Sequence, residues 1–262
     1  MDEPQEVAVG IDVGSTTTKG VMLDANSTLI ASYLLPTGAS ALSSALKCLS
    51  KLSSESGVSA DDTTIVSTGY GRLLVDFAHT QVTEITCHSI GVHHLNPGIR
   101  LLIDVGGQDS KVIRIGKNGK PTDFELNDKC SAGTGRFLEV MARVLEVSID
   151  ELGPLALKSD SPSTISSTCT VFAESEVIGH IGDGASPEDI AAGVHQSMAS
   201  KISTLSRRVG IVPPIGLTGG VALNPAFRHY LGKQMKAELW CPETPQHTGA
   251  LGAALLAMRT LS

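Results

Sequence analysis

Residues 11–19 read IDVGSTTTK, and residues 103–111 repeat the pattern as IDVGGQDSK. Each copy has the run I-D-V-G, then four small or polar residues, then Lys. Apolar residues alternate before the first copy and continue after it, which is typical of two β-strands joined by a tight turn. The repeat therefore predicts one strand–turn–strand unit used twice, and two similar lobes that each offer one glycine-rich turn.

The two turns carry the residue types that hold a nucleotide phosphate tail. Backbone N–H groups of such a turn can cradle phosphates, and glycine lets the backbone approach them closely. Asp12 and Asp104 stand at the same place in the two copies, and Mg²⁺ prefers carboxylates and waters as ligands. One copy alone would be interpreted as an ordinary β-turn. Two copies favour phosphate binding, and we expect the two turns to face each other.

Composition excludes several classes of protein. The chain has 262 residues, a net charge of -7, 41% apolar and 3% aromatic residues, which disfavours nucleic acid as a partner. The start, MDEPQE, lacks the features of a signal peptide, and no apolar run approaches the roughly 20 residues that cross a bilayer. We expect a cytoplasmic protein without membrane contact. Five cysteines in such a chain indicate metal ligation or burial rather than disulfides.

Strand and helix patterns alternate along the chain, which predicts the α/β class with mixed sheets because the hairpins are antiparallel. Besides the two hairpins, we expect a strand at 28–35, helices at 39–54 and from a Ser186 cap to about Val209, a strand, Gly-Gly turn and helix at 211–231, and a helix of small residues within 241–258.

Two cysteines each precede a predicted helix. Cys130 lies in NDKCSAGTGRFLEVMARVL (127–145), and Cys169 lies in STCTVFAESEVIGHI (167–181). We expect helices at 131–147 and 170–181, whose N-termini favour negative groups such as thiolates. The SAGTG segment also suits a phosphate-contacting turn. A buried apolar thiol is the usual state of a free cysteine and would be the interpretation for either residue taken singly.

The motifs IDVGSTTTK, IDVGGQDSK, CSAGTGRFLE, TGGVALN and PQHTGALGAA together resemble the actin, sugar-kinase and heat-shock ATPase superfamily. Within it, the chain resembles the activators (component A) of 2-hydroxyacyl-CoA dehydratases, of the BadF/BadG/BcrA/BcrD type, over nearly its whole length. The resemblance implies an actin-like ATPase fold with duplicated ribonuclease-H-like lobes. It places the first lobe at 1–98, completed by a C-terminal helix at 246–262, and the second lobe at 99–245, with the cluster cysteines and the adenosine motif.

The resemblance also implies roles for individual residues. Asp12 and Asp104 would hold Mg²⁺, and Gln108 would orient the attacking water. The residues that contact ATP or ADP would be Gly14, Ser15, Thr16, Thr17, Thr18, Lys19, Gly106, Gly107, Gln108, Gly133 and Thr134 on the phosphate side, with Gly219, Gly220, Asn224 and Gln246 near the adenosine.

In that family the protein is a homodimer, and each subunit gives two cysteines, here Cys130 and Cys169, to one [4Fe–4S] cluster per dimer. Such a cluster usually takes four thiolates, and no C-x-x-C spacing supplies them locally. The resemblance implies ATP-driven, oxygen-sensitive electron transfer from ferredoxin or flavodoxin to a dehydratase, or to a related double-cubane-cluster reductase. Movement of the lobes on ATP binding or hydrolysis would change the surroundings of the cluster.

Two rival functions stay open at this stage. A small-molecule kinase of the same fold, such as an amino-sugar kinase, needs a base for a substrate hydroxyl, and Asp109 and Asp128 are candidates. A non-catalytic nucleotide sensor is the other. Cys87, His88, His93 and His94 raise the question of a second metal, but their spacing fits no strong zinc pattern, and a structural role is favoured. Cys48 and Cys241 are also expected to be structural.

Overall fold

The computed structural model describes residues 7–166 and 169–261. Residues 167 and 168, which begin the second cysteine motif, lie outside the described residues. The chain divides into two compact units: unit 1 comprises Met1–Ile99, Ile115–Thr122 and Gln246–Ser262, and unit 2 comprises Arg100–Arg114 and Asp123–Pro245.

A mixed five-stranded sheet forms the centre of unit 1, with the strand order β3-β2-β1-β4-β5. The strands β1 to β3 are antiparallel neighbours, whereas β4 is parallel to β1 and β5 is parallel to β4. The strands are β1 (Val7–Val13), β2 (Thr17–Leu23), β3 (Leu29–Pro36), β4 (Thr63–Thr68) and β5 (Thr80–Gln81), and the helices of the unit are α1 (Ala41–Ser56), α2 (Glu84–Leu95) and α8 (Thr248–Leu261).

Helix α8 lies very close to β1 and α2 because glycines stand at the contacts. A Cβ on Gly10 would overlap the carbonyl oxygen of Ala250, and one on Gly252 would overlap the carbonyl oxygen of Cys87. Only glycine fits where two backbones approach so closely. The predicted helix of small residues is therefore present as α8, and its small residues permit this close approach.

Unit 2 is built on a second five-stranded sheet, with the order β10-β9-β6-β7-β8. Its core joins that sheet to five helices and includes the fully buried Phe137 and Phe227. The strands of this sheet are β6 (Leu101–Val105), β7 (Ser110–Ile115), β8 (Pro121–Asn127), β9 (Ile215–Thr218) and β10 (Leu239–Trp240), and the helices are α3 (Gly135–Val144), α4 (Ile149–Ala156), α5 (Thr170–Gly182), α6 (Pro187–Val209) and α7 (Pro225–Met235).

The sequence repeat is a structural repeat. In the β1–β2 hairpin Asp12 pairs with Lys19 across the strands, and in the β6–β7 hairpin Asp104 pairs with Lys111 in the same register. The two mixed sheets confirm the expected α/β class. In the part of the chain that the structure describes, no helix is long and apolar enough to cross a membrane.

Candidate functional site

The phosphate-turn candidate of unit 1 follows β1. The N–H of Gly14 donates to the Thr17 carbonyl at 3.1 Å and closes the turn. Asp12, at the end of the strand, is 3% exposed, and its Oδ2 lies 3.4 Å from Lys19 Nζ. The lysine supplies a positive charge that stabilises a carboxylate held away from water. Ser15 and Thr16 at the tip are exposed.

Thr18 points away from that turn. It is fully buried, and its hydroxyl lies 2.9 Å from Ser44 Oγ and 3.0 Å from Thr37 Oγ1. Thr37 in turn donates to the Gly14 carbonyl at 2.7 Å. The Thr18 side chain therefore connects the hairpin to β3 and α1, while Ser15 and Thr16 present the turn to solvent.

Two glycines to which the sequence analysis gave no role, Gly69 and Gly249, pack against the Asp12 carboxylate. A Cβ on Gly69 would collide with Oδ1, and one on Gly249 would lie 3.0 Å from Oδ2 and 3.0 Å from His88 Nε2. The positive φ of Gly69, 87°, adds a second reason for glycine at that position. His88 is buried, and its Nδ1 lies 3.0 Å from Thr248 Oγ1 at the start of α8. The Asp12 carboxylate therefore packs against residues from two distant segments of the chain. The sequence alone does not reveal that these segments meet.

Gln246 belongs to unit 1, just before α8, and is partly exposed. The next residue, His247, has its pKa lowered, first by burial and then by the charge of Lys19. His247 is therefore neutral at neutral pH and adds no positive charge beside Asp12 and Lys19.

The second candidate turn, in unit 2, repeats the geometry of the first. The N–H of Gly106 donates to the Asp109 carbonyl at 2.9 Å, as Gly14 does to Thr17. Asp104 is 3% exposed, with Oδ2 at 3.4 Å from Lys111 Nζ and Oδ1 accepting a 2.8 Å hydrogen bond from the Thr218 hydroxyl. Gln108 is exposed at the tip of the turn. The two hairpins therefore share the same Asp–Lys geometry.

The kinase-base candidates differ in their surroundings. The Asp109 carboxylate lies 2.7 Å from Lys111 Nζ, within the turn itself. This ion pair holds the Asp109 side chain against Lys111, within the hairpin itself. Asp128 is exposed on the segment that follows β8.

The segment expected near the adenosine follows β9. Gly219 has a φ of 87°, and a Cβ there would overlap the Val105 carbonyl, so the Gly-Gly turn lies directly against the end of β6. Gly220 opens a short 3-10 helix, Gly220–Leu223. The side chain of Asn224 accepts a 3.0 Å hydrogen bond from Phe227 N and caps α7. Its oxygen is therefore already engaged in holding the helix start.

The unit 2 turn is bonded directly to the start of α3. The N–H groups of Gly135 and Arg136, the first two residues of the helix, donate to the carbonyls of Gly106 and Gly107 at 2.8 Å each. A Cβ on Gly135 would lie 3.2 Å from the Gly106 carbonyl oxygen, so glycine permits this approach. The first amides of α3 thus bind the backbone of the turn.

The prediction that a helix begins at 131 is wrong: α3 begins at Gly135, four residues later. Gly133 has a φ of 93°, which is incompatible with a helix, and Thr134 N and Oγ1 both donate to the Ser131 carbonyl, at 3.0 and 2.8 Å. Cys130 therefore lies in a compact turn before the helix. Thr134 is fully buried, and its hydroxyl closes this turn.

Cys169, by contrast, stands at the N-cap of α5, as expected. The residues that follow the two cysteines meet: Ser131 Oγ lies 2.8 Å from Thr170 Oγ1, a partly buried hydrogen bond. Asn127 Nδ2 donates to the Cys130 carbonyl at 2.8 Å and fixes the first of the two segments. Cys130 is half-buried and Cys169 is exposed. The fold therefore brings the two cysteine-bearing segments side by side within one unit.

Helix α5 presents large apolar side chains to solvent. Val171 is 66% exposed, Phe172 is 67% exposed, and Ile178 is 56% exposed, while Ala173 and Val177 face the core. Contiguous exposed apolar groups are typical of an interaction surface. This surface begins two residues after Cys169.

Other cysteines are placed as structural residues. Burial raises the pKa of Cys48 and of Cys87 to about 12, so both thiols stay protonated at neutral pH. Burial also raises the pKa of Cys241, against the opposing effect of Arg228. Within residues 7–166 and 169–261, no group of three or more His, Cys, Asp or Glu side chains is arranged to hold a metal ion.

Comparison with known proteins gives a consistent assignment. The 2-hydroxyisocaproyl-CoA dehydratase activator of Clostridioides difficile is 44% identical over 95% of this chain and 94% of its own. The (R)-2-hydroxyglutaryl-CoA dehydratase activating ATPase of Acidaminococcus fermentans is 43% identical over 96% of each chain. The solved structure of the Clostridium difficile activator with bound ADPNP superimposes with a TM-score of 0.91 at 43% identity, and covers 97% of this chain and 95% of its own.

These similarities confirm the expected actin-like ATPase fold and the resemblance to dehydratase activators. The match to the BadF/BadG/BcrA/BcrD ATPase family spans residues 9–257, and the chain belongs to that family of ATPases.

Proposed function

We propose that this chain is an ATP-hydrolysing activator that delivers low-potential electrons to a 2-hydroxyacyl-CoA dehydratase or a related reductase. Relatives at 43–44% identity are named as activators of such dehydratases, and one component of the benzoyl-CoA reductase of Thauera aromatica is 34% identical over 77% of this chain. In this proposal the two units are the two lobes of the ATPase, and the electron donor is a ferredoxin or flavodoxin.

The observation that carries the proposal is a hydrogen-bonded path inside unit 2. It runs from the carbonyls of Gly106 and Gly107 to the first amides of α3, then through the turn that Thr134 closes on Ser131. From Ser131 it crosses to Thr170 at the start of α5. We infer that a displacement of this turn would reach the segments that carry Cys130 and Cys169 through these hydrogen bonds.

Each unit, taken by itself, offers a backbone turn for phosphates and one buried carboxylate. Gly14 to Thr16 and Gly106 to Gln108 form the tips of the two turns, are at least partly exposed, and can approach phosphate oxygens. Asp12 and Asp104 fit Mg²⁺, since both are hard oxygen ligands held at equivalent positions. Lys19 and Lys111 neutralise these carboxylates, and Gln108 would orient the water.

The donor set also fits an iron–sulfur cluster shared by two copies of the chain. Cys130, which is half-buried, and Cys169, which is exposed, lie on adjoining segments, whereas Cys48, Cys87 and Cys241 lie elsewhere in the fold. Four thiolates are needed for a [4Fe–4S] cluster, so a twofold axis beside α5 would complete the set. When bound, such a cluster supplies one-electron transfer at low potential. The exposed apolar side chains of α5 would be covered by the second copy.

Anaerobic purification tests this function. We expect a brown homodimer with about four irons, and we expect Cys130→Ala or Cys169→Ala to lose the iron while retaining ATP binding. Cys241→Ala is the matched control, because it removes a half-buried thiol of unit 2 that is not bonded to this path. Full iron content in either of the first two variants refutes the ligand assignment. A colourless wild-type protein that phosphorylates a sugar supports the kinase instead.

A further inference from the structure

A second candidate site lies in unit 1 and shares no residue with the phosphate turn. A cleft of about 400 Å³ opens among the β2–β3 turn, the C-terminal half of α2, the loop between β7 and β8, and the last turns of α8. Small-molecule sites typically measure about 300–1,000 Å³. All the residues that line the cleft belong to unit 1.

The charge of the cleft is opposite to that of the protein. The chain has 27 acidic residues against 20 Lys and Arg and a net charge of -7. Nevertheless, none of the described residues that line the cleft is Asp or Glu, while Arg259, His93 and His94 all line it. A cleft lined by an arginine and by no acidic side chain, on a protein that is acidic overall, favours an anion.

His93 is held in place with one ring nitrogen unsatisfied. Its ring packs on Gly119, where a Cβ would lie 2.7 Å from Cδ2, and the loop is fixed by Ser89 Oγ, which donates to the Gly119 carbonyl at 2.8 Å. Nδ1 of His93 is buried and has no hydrogen-bond partner among the described residues. Because that nitrogen is buried, a ligand in the cleft would meet the part of the His93 ring that remains exposed.

The inner wall of the cleft is apolar. Ile90 is 6% exposed and Leu255 is 8% exposed, and Met258 lies beside them on α8. An inorganic anion would leave this wall in contact with water, whereas a short hydrocarbon chain would cover it. The cleft therefore combines an apolar wall with a cationic rim.

From these observations we propose that the cleft binds a small organic carboxylate, with its hydrocarbon chain on Ile90 and Leu255 and its carboxylate at Arg259 and His93. The site is separate from the nucleotide site, and the proposal does not depend on the activator function.

The competing explanation assigns the basic residues to helix stability alone. His93 and His94 lie in the last turn of α2, and Arg259 lies in the last turn of α8. Basic residues there offset the negative end of the helix dipole without any ligand. That explanation predicts lower stability in their variants and no carboxylate binding, so binding measurements separate the two.

The test uses butyrate as the probe and titration calorimetry on the purified full chain, with butylamine and butanol as cationic and neutral probes of equal length. We expect saturable binding of butyrate only, at least about tenfold weaker in Arg259→Gln and in His93→Phe, since a charge-assisted contact and a ring nitrogen are removed. Arg207→Gln is the matched control, an exposed arginine in the last turn of α6, and should bind butyrate normally.

Several results would overturn the proposal: no saturable butyrate binding to the wild type, equal binding of butylamine, or unchanged affinity in both variants. If a variant fails to fold, the wild-type protein still decides the matter by NMR. Butyrate must then shift histidine ring signals that butanol leaves in place, and unshifted ring signals count against the site.

Discussion

The hydrogen bond between Ser131 and Thr170 gives the sharpest test of coupling between nucleotide and cysteines. At 2.8 Å and partly buried, it is the direct side-chain link between the two cysteine segments in the described structure. A neutral hydrogen bond contributes about 0.5–1.5 kcal/mol net. We therefore expect Ser131→Ala and Thr170→Val each to destabilise the protein by about 1 kcal/mol, and the double variant by clearly less than the sum.

The functional consequence is measured on the cluster-free protein by alkylation of Cys130 and Cys169, with and without a non-hydrolysable ATP analogue. Peptide mass spectrometry distinguishes these two thiols from the others. The analogue should change their alkylation rates in the wild type. A lost coupling of about 1 kcal/mol reduces that effect about fivefold in the double variant.

The matched control is Thr204→Val, which removes a hydroxyl that bonds the Ser200 carbonyl on the exposed side of α6. It should leave the nucleotide effect unchanged. The reasoning fails if the Ser131/Thr170 double variant, folded and still binding nucleotide, shows the full wild-type effect on both thiols. It also fails if urea unfolding shows that the two single variants are strictly additive, because the two hydroxyls would then not interact.

Four further predictions follow from other contacts. Asp104→Asn should weaken Mg²⁺-dependent ATP hydrolysis at least about tenfold with iron content intact. Gly252→Ala, whose Cβ overlaps the Cys87 carbonyl, should cost about 2 kcal/mol of stability or more, whereas Gly179→Ala, with open space, should gain about 0.5–1 kcal/mol. Phe172→Asp should give monomers in size-exclusion chromatography. As the pH is lowered from 6.5 to about 4, the free energy of unfolding of the wild type should fall relative to that of His195→Gln.

The sign of the last effect follows from the burial of His195. Burial lowers its pKa from 6.5 to about 4, so the folded state resists a proton that the unfolded state takes up below pH 6.5. The stabilisation is complete above that pH and is lost as the pH falls towards 4, by up to about 3 kcal/mol. Urea unfolding at several pH values measures it, and parallel pH profiles of wild type and variant would contradict it.

Controls for the other predictions use the same chain. Unchanged ATP hydrolysis in both Asp104→Asn and Asp12→Asn would contradict the role of these two carboxylates in nucleotide hydrolysis. If Gly179→Ala destabilised the chain as much as Gly252→Ala, the conclusion that a Cβ at position 179 of α5 meets open space would be wrong. A Phe172→Asp variant that remained dimeric with full iron would exclude α5 as the shared surface, and Phe124→Asp tests another exposed aromatic residue, on β8.

Local patterns predicted the hairpins well, because strand alternation, a polar turn and a cross-strand Asp–Lys pair are all encoded within nine residues. They missed α2, since this helix is buried on several sides and lacks a polar face; even His88 and Ser89 are buried. They also missed α4, where Pro154 lies inside the helix and obscures the pattern. Both elements owe their stability to tertiary packing, which a single sequence does not display.

The candidate site was predictable only in its local parts. The sequence identified Cys130 and Cys169 but set a helix directly after each, and the positive φ of Gly133 delays the first by four residues. That delay changes what the first amides of the helix can bind. A helix beginning at 131 would leave its first amides beside Cys130, whereas the observed helix presents them to Gly106 and Gly107. In the proposed function the turn would thus separate two tasks: the helix start would follow the turn at Gly106 and Gly107, and the loop before it would remain able to present a sulfur.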